Sequence, residues 1–97
     1  MSSDAASGDG AQAGGIVHVE SAASFEETIA ENDQVIVDYF AEWCGPCKQQ
    51  TPILEELSGT IDIPILGVDT DEHNGLAAEA GVRSIPTVAI YRGGEEV

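Results

Sequence analysis

Basic side chains are almost absent from this chain: Lys48, Arg83 and Arg92 stand alone against eighteen acidic residues in 97, and the formal net charge is −15. Nucleic acid and anionic membranes are held by clustered lysine and arginine, so neither is an expected partner. Three scattered cations also form no anion site. Apolar runs are short, none near the ~20 residues of a membrane helix. No basic segment followed by an apolar one opens the chain as a secretory leader would. A cytoplasmic location is therefore the expectation. Histidine is scarce, with His18 and His73 55 residues apart. A zinc site built on the only cysteines, Cys44 and Cys47, would be short of two ligands unless two chains shared an ion. A bridge between those cysteines closes so small a loop that it removes little chain entropy, which weakens a purely structural reading of the pair.

The acidity itself admits two readings. High net charge with little apolar content gives disorder, and that fits residues 1–15, which contain only Met, Ser, Asp, Ala, Gly and Gln. From residue 16 to 97 the chain carries apolar runs and 42% of all its residues are hydrophobic, so one small folded domain is expected there. Its carboxylates are spread along the domain. In molar salt the Debye length falls to ~3 Å and such self-repulsion is screened, so the pattern points to a halophilic protein.

Local patterns predict the elements. Ile16–Glu20 reads as a strand, and Ser24-Phe-Glu-Glu27 reads as a capping box opening a helix that ends near Asn32-Asp33. Gln34–Phe40 is apolar almost throughout, as a strand buried on both faces is. A helix is expected from Cys44 to Ser58, kinked at Pro52, then a strand over Ile63–Val68. Asn74 would cap a short helix over Gly75–Ala80, closed by Gly81. Thr87–Arg92 is a further strand, Gly93-Gly94 a hairpin turn, and Glu95 begins a last strand. The order β-α-β-α-β-α-β-β implies an α/β sandwich around a mixed sheet.

The chemistry concentrates in Trp43-Cys44-Gly45-Pro46-Cys47, where a buried strand runs into a helix. At that point free backbone N–H groups and the helix dipole stabilise a thiolate on Cys44, with Lys48 adding positive charge. Cys47, inside the first turn, is expected to be the more buried and less acidic thiol. Asp38 interrupts the apolar strand six residues before Cys44. Burial would raise its pKa and let it trade protons with Cys47; exposure at a strand end is the alternative. Trp43 is either a core residue or part of a contact surface. Asp69-Thr-Asp-Glu-His-Asn-Gly75 lacks the glycine and glutamate that a calcium loop needs at its sixth and twelfth positions, and reads as a solvated loop.

Three separated segments resemble the thioredoxin family: Val37-Asp-Tyr-Phe-Ala-Glu-Trp-Cys-Gly-Pro-Cys-Lys48, Val68-Asp-Thr-Asp71 and Gly81-Val-Arg-Ser-Ile-Pro-Thr87. The resemblance covers Ile16 to Val97 and implies a three-layer sandwich that is shortened at its C-terminus. The fifth strand is incomplete and the fourth helix that follows it in the family is missing. It further implies a protein dithiol–disulfide oxidoreductase that reduces disulfides in target proteins, takes electrons from a thioredoxin reductase and needs no bound cofactor. Gly45-Pro46 between the cysteines favours reduction over oxidation or isomerisation by the same likeness. Carried over residue by residue, Cys44 is the nucleophile, Cys47 the resolving thiol and Asp38 the proton-exchanging carboxylate. Trp43, Gly45 and Pro46 belong to the substrate surface. Pro86 follows a cis peptide, and the backbone of Ile85 pairs with the substrate. The lysine that often accompanies the aspartate falls at Gly67, so no cation is expected beside Asp38. A non-catalytic binding module on the same fold is the rival reading.

In such a sandwich the helix after the cysteines covers one sheet face alone. Thr87–Arg92 is apolar on both sides, so an apolar strip including Val88 and Ile90 is expected to stay wet. The chain is accordingly expected to be a shortened form of a longer protein, or to need high salt or self-association to fold firmly.

Overall fold

Burial without a break from Val35 to Tyr39 makes Gln34–Phe40 the axis of the sheet. In the computed structural model, which describes residues 15–97, it is β2 of eight elements. The others are β1 (Ile16–His18), α1 (Ala22–Glu31), α2 (Gly45–Ser58), β3 (Ile65–Asp69), α3 (Asn74–Glu79), β4 (Thr87–Arg92) and β5 (Glu95–Glu96). The tail expected over residues 1–15 lies, Gly15 apart, outside the described residues. The strands form one mixed sheet in the order β1-β3-β2-β4-β5. β1 and β2 run parallel to β3, while β4 runs antiparallel to both β2 and β5.

Side chains alternate across a strand, and here the two faces differ in chemistry. Val35, Val37 and Tyr39 join Leu66, Val68 and Ala89 under Phe25 and Ile29 of α1 and Leu76 and Ala77 of α3. Each fully buried valine on that face contributes on the order of 1.5–3 kcal/mol. The Tyr39 hydroxyl lies 3.0 Å from that of Tyr91, and Tyr91 meets Phe25 edge to face at 5.9 Å. Burial, and then the Tyr91 hydrogen bond, push the Tyr39 phenol well above its ordinary range. The opposite face carries Ile36, Asp38 and Phe40, and Phe40 packs on the cysteine end of α2. Val88 and Ile90 on that side remain 39% and 47% exposed, which is the wet strip the sequence predicts.

Several boundaries shift for local reasons. The cap of α1 is Ser21, not Ser24: Ser21 Oγ accepts from Ser24 N–H at 3.0 Å and Ser24 Oγ accepts from Ser21 N–H at 3.2 Å. Ala22 and Ala23 are good helix formers and add a turn, and Ser24 takes the part expected of Glu27. α3 begins at Asn74, with His73 rather than Asn74 in the cap position and no side-chain cap. The His73 ring instead sits 3.1 Å from the Val19 carbonyl. β3 starts at Ile65, not Ile63, because Pro64 offers the sheet only its carbonyl, which accepts from Ile36 N–H at 3.0 Å. The hairpin after β4 has φ 62° and 87° at Gly93 and Gly94, the paired left-handed geometry that suits a two-residue turn.

Replacing Ser21 by alanine removes half of this reciprocal cap. The expected loss is about 1 kcal/mol, or roughly 4–8 °C in melting temperature for a domain of this size. An unchanged melting curve for Ser21→Ala would place the cap elsewhere.

Candidate active site

β2 ends at Phe40, and the chain turns through Ala41–Trp43, closed by Cys44 N–H donating to the Ala41 carbonyl at 3.1 Å. Cys44 is then the N-cap of α2. Its sulfur accepts a hydrogen bond from Cys47 N–H at 3.2 Å, so the donor expected to favour a thiolate is aimed at this atom. Pro46, in the first turn, lacks the N–H that would have no partner there. Cys44 and Cys47 are joined as a disulfide, with Cα atoms 5.3 Å apart.

The expectation that Cys47 is the more buried of the two is corrected here: each cysteine is only 3% exposed. Ala41, Phe40 and Ile85 pack around the pair, and these neighbours come from the end of β2, the turn after it and the loop before β4 rather than from the motif. The two sulfurs differ in hydrogen bonding, not in residue burial. Ile85 precedes Pro86 through a cis peptide, and both are half-buried. Gly45 and Pro46 are exposed on the first turn of α2. Trp43 is 70% exposed, so it is no core residue. Its Nε1–H donates to Asp71 Oδ2 at 2.9 Å.

Asp71 lies in one of the segments that carry the family resemblance, but nothing in the sequence assigns it a partner. One oxygen of Asp69 accepts from the backbone N–H of Asp71 at 2.9 Å and of Glu72 at 3.4 Å. This carboxylate therefore organises the turn that presents Asp71 to Trp43.

Asp38 is buried, at 3% exposure, and its Oδ1 has no hydrogen-bond partner, which removes the strand-end alternative. Burial pushes its carboxyl above the ordinary aspartate range, and the charge of His18 pulls in the opposite direction. The expected absence of a lysine holds, since Gly67 stands in register with Asp38; the exposed His18 side chain of β1 lies over that glycine.

The thioredoxin family profile matches residues 16–97. The chain belongs to the thioredoxin family. Thioredoxin of Chlamydia caviae is 45% identical over 83 residues, covering 84% of this chain and 80% of that one. The structure of Plasmodium falciparum thioredoxin is similar with a TM-score of 0.82 at 41% identity, over 84% of this chain and 81% of that one. A thioredoxin variant from Halobacterium salinarum NRC-1 matches with a TM-score of 0.83 at 32% identity, over 92% and 79%. As a member of this family, the chain is a protein dithiol–disulfide oxidoreductase, and its Cys44–Cys47 pair is the redox centre. No described helix is long and apolar enough to cross a membrane.

A carboxyl whose folded pKa lies above its unfolded one loses stability on ionising. For Asp38 the cost is absent below the unfolded pKa and grows as pH rises through the window up to the raised folded value. Asp38→Asn should therefore be more stable than the parent at neutral pH, with the gain vanishing in acid below that window. Urea unfolding of both chains across pH measures it; a constant difference would mean that Asp38 ionises as freely when folded as when unfolded.

Proposed function

We propose that Cys44 attacks and Cys47 resolves in a reductase cycle directed at exposed disulfides of other proteins. The observation that carries this reading is the hydrogen bond from Cys47 N–H to Cys44 Sγ. It favours negative charge on Cys44 over Cys47 once the bridge is open. In the cycle the Cys44 thiolate forms a bond to one target sulfur and breaks the target disulfide, and the departing target sulfur takes up a proton. The Cys47 thiol passes its proton to the Asp38 carboxylate and attacks Cys44 Sγ. This frees the second target thiolate, which is protonated in turn, and leaves the Cys44–Cys47 disulfide. Two electrons and two protons have then moved to the target.

Asp38 is suited to this exchange because burial weakens its acidity and it shares a sheet face with Phe40, which packs on the cysteines. Trp43, Gly45 and Pro46 offer an exposed surface beside Cys44, and the Ile85 backbone, next to Pro86, would pair with the target chain. The oxidised pair then needs a dithiol donor, for which a thioredoxin reductase is the fitting partner, in a cytoplasmic setting. Among the described residues every carboxylate except Asp38 and Asp69 is exposed. That distribution supports a halophilic protein.

Insulin reduction with a dithiol donor tests the cycle. Cys44→Ser should lose activity, whereas Cys47→Ser should stall as a mixed disulfide visible by mass spectrometry. Turnover by Cys44→Ser would reverse the roles, and no reduction by the parent chain would favour the binding module.

Brief iodoacetamide treatment of the reduced chain should label Cys44 faster than Cys47. Equal labelling would remove the argument from the helix N-terminus.

The melting temperature should rise as KCl enters the molar range, because self-repulsion among exposed carboxylates is screened. A fall would end the halophilic reading.

A further inference from the structure

The row of the sheet that contains Asp38 runs His18 on β1, Gly67 on β3, Asp38 on β2 and Val88 on β4. Residues in register share a face, so all four positions look to the same side. Gly67 leaves a gap in the middle of this row, and the His18 ring lies over it. A Cβ added at Gly67 would fall 2.8 Å from His18 Cδ2, 3.0 Å from Ile16 Cγ2 and 3.3 Å from Phe40 Cε1. The ring is held there by Phe40, with centroids 5.4 Å apart and planes tilted by 33°. On the far side of the gap, Asp38 Oδ1 is buried and unpartnered.

We propose that His18 is a positioning residue for Asp38: lying across Gly67, its ring supplies a titratable positive charge to the buried carboxylate and ties proton exchange at Asp38 to the charge of a histidine. The inference rests on the proton-exchange role proposed for Asp38. Among the described residues no other element provides that charge. β3 and β4 contribute Gly67 and Val88 to the row, and Ile36 and Phe40 flank Asp38 on its own strand. α2 brings Cys47, which titrates only after the disulfide opens; Lys48 beside it is exposed, as is His18 on the edge strand, but only His18 lies over the glycine in register with Asp38. The direction in which His18 acts on Asp38 agrees with this geometry.

A histidine differs in kind from a lysine in this position. A lysine keeps its charge through the physiological range, whereas a histidine side chain changes charge within it. The carboxylate is helped while the ring is protonated and loses that help as the ring gives up its proton. The resolving step therefore acquires a pH dependence of its own, and Gly67 is what makes room for it.

Carbon-detected NMR titration of the Asp38 carboxyl in the oxidised full chain tests the proposal without reference to activity. His18→Phe keeps an aromatic ring beside Phe40 but removes the charge, so the Asp38 midpoint should rise. His18→Lys should bring it back to or below the parent value. In the parent, the His18 ring resonances should show an inflection at the Asp38 midpoint that disappears in Asp38→Asn. In single-turnover reduction, the pH profile of the resolving step should move with the NMR midpoint. A midpoint unmoved by His18→Phe, or moved equally by both variants, overturns the proposal and leaves His18 as ring packing over a glycine. Because the titration uses oxidised protein alone, failure here is separate from failure of the insulin assay.

Discussion

The short hydrogen-bonded turn that makes Cys44 the cap of α2 is the contact on which the rest of the site depends. It joins a strand buried on both faces to the one helix that covers one of them. Because β2 lies between β3 and β4, the sheet fixes its end in space, and the first turn of α2 inherits that fixed position. An N-cap acceptor is ordinarily a small oxygen-bearing side chain. Here it is a sulfur, and the same donor that stabilises the helix start favours the thiolate over the thiol. Structural and chemical roles fall on one atom.

Charge is arranged in opposite ways outside and inside this protein. At the surface, carboxylates are numerous and wet, which keeps each one inexpensive in isolation and makes their sum dependent on salt. Inside, one carboxylate is deprived of water and of a hydrogen bond to Oδ1. A buried carboxyl without a fixed cation is destabilising, and that cost is the same physical fact as its readiness to hold a proton above the ordinary aspartate range. Natural sequences tolerate such groups where the chemistry uses them. Here the carboxyl shares a sheet face with a residue that packs on the redox pair.

The two faces of the sheet are not equally covered. One is closed by α1 and α3 over a continuous cluster from Val19 to Ala89. The other rests on α2, and its β4 side stays open at Val88 and Ile90. The face that carries the chemistry is thus the less fully covered one.

Much of this architecture was legible in local patterns. β2 and β4 have the expected bounds, α2 runs to Ser58 as expected, and the strand–helix order holds. Periodicity and cap residues are short-range signals, and these elements obey them. Where two serines competed to cap α1, the pattern with glutamate was misleading because alanines upstream could still be helical. The cysteine pair, Asp38 and the Ile85–Pro86 loop were also legible, from motif and from an isolated charge in an apolar run. The equal burial of the two cysteines, the bond from Trp43 to Asp71 and the histidine lying across Gly67 were not. Each depends on which distant segments come into register or pack together, and no periodicity within one segment encodes that. Sequence alone determined the redox motif, the acidic surface and a carboxyl placed inside a strand. Tertiary structure decided what stands next to that carboxyl, because a glycine on one strand is a gap only when a neighbouring strand brings a ring to fill it.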